Sequence, residues 1–203
     1  VSRRTIGIVD YGMNNLASVW RALHGLGYRC RVSDDIEALS EADLLLLPGV
    51  GAFPAAMAAL RERGLVDYLQ TQGRLGRPLI GICLGMQLMA DVSTEHKLTA
   101  GLGLIPGRVD AFDHGRWHIG WNSMEVVRDD ELIKPSDGQS FYFNHSYVFH
   151  APTEYQIGVA RLDDTIATVV RRDNIVGLQF HPEKSQHAGR QLLRNVIEGL
   201  CRD

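Results

Sequence analysis

In Arg77-Pro78-Leu79-Ile80-Gly81-Ile82-Cys83-Leu84-Gly85-Met86-Gln87-Leu88-Met89-Ala90, a short apolar run passes through a glycine-flanked cysteine into a helical pattern. Strand, tight turn and helix form the layout in which a G-x-S-x-G elbow lifts a nucleophile clear of a sheet. Here Cys83 stands in the place of serine. The flanking glycines suit a turn with little room for neighbouring Cβ atoms. A helix starting at Leu84 offers unpaired N–H groups and the positive end of its dipole, a setting that favours negative charge. The thiolate is the attacking form of a cysteine, so Cys83 is the first candidate for a catalytic residue.

The chain before this run alternates strand and helix. Ile6-Gly7-Ile8-Val9 reads as a buried strand. Leu16, Val19, Trp20 and Leu23 recur with helical spacing. Asn14 or Asn15 is placed to cap that helix, and Gly25 and Gly27 to end it. Residues 28–32 form a second strand, and Leu44-Leu45-Leu46-Leu47, stopped by Pro48, a third. Residues 54–72 are helical in pattern with a break near Gly64. Uninterrupted apolar strands between helices indicate a parallel sheet covered on both faces.

After Leu104 the strand-like pieces crowd together. Turn signals fall at Pro106-Gly107, Asp113-His114-Gly115, Pro135-Ser136-Asp137-Gly138 and Asp163-Asp164. This half reads as hairpins and an antiparallel extension. Leu192, Leu193, Val196, Ile197 and Leu200 then mark a closing helix. The expected fold class is α/β: one domain over 1–203, with a mixed, mostly parallel sheet flanked by helices.

Composition narrows the function. A net charge of -3 over 203 residues gives no support to a nucleic-acid or membrane-surface partner. No apolar stretch approaches the ~20 residues of a membrane span. The three cysteines, Cys30, Cys83 and Cys201, are odd in number and scattered, which argues against a disulfide framework and for a reducing cytoplasm. No signal peptide is legible, because Ser2-Arg3-Arg4 is followed at once by a short strand ending at Asp10.

A cysteine nucleophile needs a base, and the base an orienting group. Gly177-Leu178-Gln179-Phe180-His181-Pro182-Glu183-Lys184 supplies both. The residue before a proline is held extended, and extended residues i and i+2 project to one side. His181 and Glu183 can therefore meet locally, leaving the other imidazole nitrogen for Cys83. In Pro48-Gly49-Val50-Gly51-Ala52-Phe53, glycines after a buried strand allow close backbone approach. A peptide N–H at Val50 or Gly51, with that of Leu84, can form an oxyanion hole. The segment lacks the Gly-Lys-Ser/Thr ending of a phosphate loop. His114 with His118, or His145 with His150, fits no zinc spacing, so packing or surface roles are expected and no metal.

Pro-Gly-Val-Gly after a strand, then G-I-C-L-G-M-Q, then F-H-P-E, in this order, resembles the class I, triad-type glutamine amidotransferases. Asp10-Tyr11-Gly12-Met13-Asn14-Asn15-Leu16, Gly101 to Gly107, Gly120-Trp121-Asn122, Asn144-His145-Ser146-Tyr147 and Gly177 to Ser185 extend the likeness over nearly the full length. They resemble the glutaminase subunits of imidazole glycerol phosphate synthase in histidine biosynthesis. The resemblance implies a flavodoxin-like core and a Cys83-His181-Glu183 triad that releases ammonia from glutamine without a cofactor. It implies glutamine contacts from Gln87, Glu95, Ser146, Tyr147 and the backbone near Gly51. It also implies a (β/α)8-barrel cyclase subunit as partner, faced by Asn15, Trp121 and Lys184. Trp121 read alone is as well explained by core packing.

The chain departs from the family's usual pattern at three places. Asn14 stands where glycine is common, Trp117 where proline is usual, and Asn144 where valine is usual. All three lie in segments expected at the substrate or partner. Two other readings share parts of this pattern: a non-catalytic scaffold on the same fold, and a stand-alone cysteine hydrolase. The first predicts loss of a triad member, and all three are present. The second gives no reason for Gln87 or His145-Ser146-Tyr147.

Overall fold

The computed structural model describes residues 3–12 and 15–202, with no account of the His114 side chain. Asn14, one of the three departures and one of the two expected caps, lies outside the described residues.

The first half is strand, helix, strand, as expected. β1 (Thr5–Val9), α1 (Leu16–Gly25), β2 (Arg29–Ser33), α2 (Ile36–Ser40) and β3 (Leu44–Leu47) are followed by α3 (Phe53–Glu62), α4 (Leu65–Arg74), β4 (Leu79–Ile82) and α5 (Leu84–Leu88). Pro48 ends β3, and Gly64, at φ 68°, breaks the long helix in two. The short α2 was not evident from periodicity. It starts at Asp35, whose carboxylate accepts from the N–H groups of Glu37 and Ala38, a side-chain cap on an otherwise marginal helix.

The second half adds β5 (Val92–Ser93), β6 (Thr99–Ala100), β7 (Arg108–Ala111), β8 (His118–Ser123), β9 (Glu125–Val126), β10 (Ser140–His145) and β11 (Tyr147–His150). β12 (Gln156–Arg161), β13 (Thr165–Arg172), β14 (Ile175–Leu178) and α6 (Gln186–Leu200) complete it. The main sheet runs β2-β1-β3-β4-β14-β13-β12-β9. Its first five strands are parallel and its last three antiparallel. The expected mixed α/β sheet with an antiparallel extension is therefore present.

Not every strand joins it. β10 pairs only with β8, and β11 joins β7, β5 and β6 in a second small sheet. The chain passes from one small sheet to the other at Ser146, whose carbonyl accepts from Phe112 N–H at 3.1 Å. Turn signals mark that strands are short; they do not say which strands share a sheet.

Both faces of the main sheet are covered. Ile6, Ile8, Leu44, Leu46, Ile80 and Ile82 pack on one side with α1 and α6 residues such as Val19, Leu193 and Ile197. Val9, Leu45, Leu47 and Leu79 pack on the other with Met57, Leu60, Leu69 and Met86. Strand residues alternate between faces, so burial of both faces requires the unbroken apolar runs seen in the sequence.

Helix α5 lies unusually close to the sheet. A Cβ on Gly85 would sit 1.9 Å from the Leu47 carbonyl oxygen, and one on Gly177 would sit 2.7 Å from Met86 Cγ. Gly85→Ala would push α5 off the sheet against rigid backbone. We expect it to lower unfolding free energy by roughly 1–3 kcal/mol or to prevent folding, measured by chemical denaturation.

Candidate active site

β4 and β14 are parallel neighbours, with Gly81 opposite Gly177 and Ile82 opposite Leu178. Both strands run the same way, so the residues that follow them emerge together at one edge. Cys83 follows β4. Its N–H donates to the Leu178 carbonyl at 2.7 Å. Its backbone lies at φ 54°, ψ -111°, a conformation that costs a non-glycine residue roughly 1–3 kcal/mol. The turn has the sharp elbow form anticipated for the motif, and Cys83 is 6% exposed.

His181 is the third residue after β14. Its N–H donates to the Tyr142 carbonyl at 2.8 Å. Its Nδ1 is 2.7 Å from Glu183 Oε1, and its ring also engages the Cys83 side chain. The expected His181–Glu183 pair therefore exists, but the local geometry differs from the extended chain anticipated. Pro182–Lys184 form one turn of 3-10 helix, and this turn curls the carboxylate back onto the ring. Ser185 Oγ donates to the His181 carbonyl at 2.6 Å and accepts from Tyr142 N–H at 2.9 Å, which pins the turn.

Burial alone would depress the His181 imidazole. Hydrogen bonds and electrostatic attraction from Cys83 and Glu183 outweigh it and push the group up to about 10. His181 therefore holds its proton at neutral pH, between sulfur and carboxylate.

Asn15 occupies the N-cap position expected of it or Asn14, but not with its side chain. It precedes α1 with a left-handed backbone, φ 96°, and its side chain caps nothing. Its Nδ2 instead donates to Glu183 Oε1 at 2.6 Å, the same oxygen that His181 engages. The left-handed backbone aims the amide across to the 181–184 turn, 168 residues away in sequence.

Val50, Gly51, Leu84, Gln87, Glu95, Ser146, Tyr147 and Lys184 all line one cavity of about 270 Å³ with Cys83 and His181. The segment from Pro48 is held against the elbow by contact. Tyr11 Oη donates to the Pro48 carbonyl at 2.6 Å. A Cβ on Gly49 would lie 2.2 Å from that hydroxyl, so only glycine fits there. Glu95 Oε2 accepts from Phe53 N–H at 2.8 Å, in the first turn of α3, which ties it to the same segment. Trp121 is apart from the cavity. It is 48% exposed on β8 and meets Tyr142 edge-to-face.

The structure adds residues that the sequence reading passed over. Gln179 is fully buried; its Oε1 accepts from Gln87 Nε2 at 3.1 Å and its Nε2 donates to Cys83 Sγ at 3.9 Å. The available signal was a polar residue between Leu178 and Phe180, two positions before His181, which must find partners when buried. Gln87 Nε2 also donates to the Tyr147 carbonyl at 3.1 Å. From the cavity wall inward, His145 Nδ1 meets the Tyr147 carbonyl at 2.8 Å, His118 Nδ1 meets His145 Nε2 at 2.9 Å, and Asn122 Nδ2 meets His118 Nε2 at 2.7 Å.

One direction satisfies all three bonds: Asn122 donates to His118, His118 to His145, and His145 to the carbonyl. Burial lowers both imidazoles, His145 to about 3, so the pair is neutral. These histidines serve packing, as expected. Among the described residues no cluster of His, Cys, Asp or Glu could hold a metal.

A protein-family model described as Glutamine amidotransferase class-I matches residues 7–199. The chain belongs to that family. Its relatives include imidazole glycerol phosphate synthase subunit HisH of Carboxydothermus hydrogenoformans, 43% identical, covering 95% of this chain and 98% of the relative. The same-named subunits of Listeria monocytogenes serotype 4a and Streptococcus mutans are each 40% identical, covering 95% and 96% of this chain. Among solved structures, a glutamine amidotransferase superposes with TM-score 0.75 at 24% identity, over 97% of this chain and 98% of that one. PurLQS from Thermotoga maritima does so with TM-score 0.78 at 17% identity, over 98% and 100%. At these identities the structural matches speak for the fold.

Because Glu183 helps raise His181, Glu183→Gln is expected to bring the pH at which the imidazole loses its proton down from about 10 by about one pH unit or more. Imidazole titration by NMR measures this directly. A titration unchanged from wild type would remove Glu183 from the pair.

Proposed function

We propose that this protein hydrolyses glutamine to glutamate and ammonia, and hands the ammonia to a cyclase subunit of imidazole glycerol phosphate synthase. The observation that carries the reading is Cys83 on a strained elbow, lining one cavity of about 270 Å³ with a His181 that Cys83 and Glu183 together keep protonated. The naming of the HisH relatives as synthase subunits supports the choice of partner.

Cys83 Sγ attacks the side-chain amide carbon. The oxygen takes up negative charge toward the N–H of Leu84 and a peptide N–H of the Val50–Gly51 segment. His181 gives its proton to the amide nitrogen, the C–N bond breaks and ammonia leaves. Water then adds to the glutamyl thioester while His181 takes its proton, and the C–S bond breaks to release glutamate. Glu183 keeps the ring in register throughout. Glu95 is placed to meet the substrate's α-ammonium, and Ser146, Tyr147 and Gln87 to hold the rest. The scheme uses no metal and no cofactor.

The protein acts in the cytoplasm as one domain over 1–203, and as a heterodimer with a (β/α)8-barrel partner. Trp121 and Lys184 face that partner, and neither nucleic acid nor membrane takes part. No helix of the described residues is long and apolar enough to cross a membrane. Asn15 joins this face to the triad through Glu183.

Cys83→Ala is expected to cut glutamine-dependent synthesis by the complex at least ~10³-fold while leaving ammonia-dependent synthesis intact. Retained use of glutamine would sink the nucleophile assignment. Absence of turnover by wild type, with and without a cyclase subunit, would favour the scaffold reading. Strong turnover indifferent to the partner would favour the stand-alone hydrolase. Trp121→Ala and Lys184→Ala should weaken the partner's stimulation of glutamine hydrolysis while shifting stability by no more than ~0.5 kcal/mol, as expected for exposed sites. Stimulation kinetics and thermal melts test the pair together.

A further inference from the structure

Trp117 and Asn144, two of the positions at which the chain departs from its family's usual pattern, are partners. Trp117 Nε1 donates to Asn144 Oδ1 at 2.8 Å. Both residues line the cavity that holds Cys83 and His181. Asn144 also reaches the nucleophile, because its backbone carbonyl is 3.8 Å from Cys83 Sγ. One residue thus touches the thiol with its main chain and anchors the indole with its side chain.

The indole stands between two spaces. On one side is the catalytic cavity of about 270 Å³, and on the other a neighbouring cavity of about 310 Å³ bounded by Phe112, Arg116 and Leu162. Trp117 is 64% exposed. A large ring this open to water gains little from packing alone, and its fixed position needs the polar bond at Nε1. Asn144 provides that bond from β10, whose pairing with β8 places Asn144 opposite Ile119, two residues beyond Trp117.

We propose that the Trp117–Asn144 pair is the outer wall of the glutamine site and a specificity-determining element of this enzyme. The indole closes the catalytic cavity against its neighbour and gives the methylene chain of glutamine an apolar surface. Asn144 holds the ring at the distance a five-carbon amino acid requires. The inference rests on the glutamine reading above. Loss of the wall raises the concentration of glutamine needed for half-saturation and leaves the attack step at Cys83 nearly unchanged.

The experiment measures glutamine KM and kcat for the complex with its cyclase subunit. It also measures alkylation of Cys83 in the chain alone by a diazoketone analogue of glutamine and by iodoacetamide, mapped by mass spectrometry to separate Cys83 from Cys30 and Cys201. Trp117→Ala should raise KM, and the half-saturating concentration of the diazoketone, about tenfold, the scale of one well-placed apolar contact. Iodoacetamide, too small to use the wall, should react at least as fast as with wild type.

Asn144→Val and Trp117→Phe should each raise KM roughly threefold, and the double variant no further, because both remove one bond. Equal KM in all variants, or additive effects in the double variant, would overturn the proposal. A fall in kcat with KM unchanged would do the same. Slower iodoacetamide reaction in Trp117→Ala would overturn it as well, by showing a disturbed elbow. A wild-type complex unable to use glutamine would instead refute the underlying reading of function.

Discussion

The parallel pairing of β4 with β14 is the constraint on which the site depends. Ile82 and Leu178 lie opposite one another, and the Cys83 N–H closes onto the Leu178 carbonyl at 2.7 Å. A shift of one residue would turn every side chain of β14 to the other face and separate sulfur from imidazole. Cys83 and His181, 98 positions apart in sequence, are brought together by a ladder of main-chain hydrogen bonds that no side chain specifies.

The elbow works because small residues let a helix sit down on that ladder. Gly81 and Gly177 face each other across the two strands, and both leave their space to α5: to the Gly85 carbonyl and to Met86. The close approach brings the N-terminus of α5 to the sulfur. The strained backbone of Cys83 sits within these close contacts, which hold the turn in place.

Polar groups in and behind the wall of the site are paired into short chains. Gln87, Gln179 and Cys83 form one. Asn122, His118, His145 and the Tyr147 carbonyl form another. The histidines in the second are neutral because burial depresses them, whereas His181, also buried, is raised by Cys83 and by the Glu183 carboxylate. The contrast is one of neighbours. The Cys83 side chain and the Glu183 carboxylate together outweigh desolvation, and a carbonyl or a second imidazole does not.

Much of this was legible in the residues. Unbroken apolar runs between helical spacings require a sheet buried on both faces, because successive strand residues point to opposite sides. Glycines around Cys83 announce a tight elbow, and His-Pro-Glu announces an imidazole with its own carboxylate at short range. These are local facts, and local steric rules are enough to read them. The tertiary structure alone decided which strands are neighbours, that β8, β10 and β11 leave the main sheet, and that Asn15 turns inward to Glu183. It alone paired Trp117 with Asn144. Each of these joins residues far apart in sequence, and such contacts depend on how whole elements pack, a choice made by summed burial and backbone pairing over the entire chain.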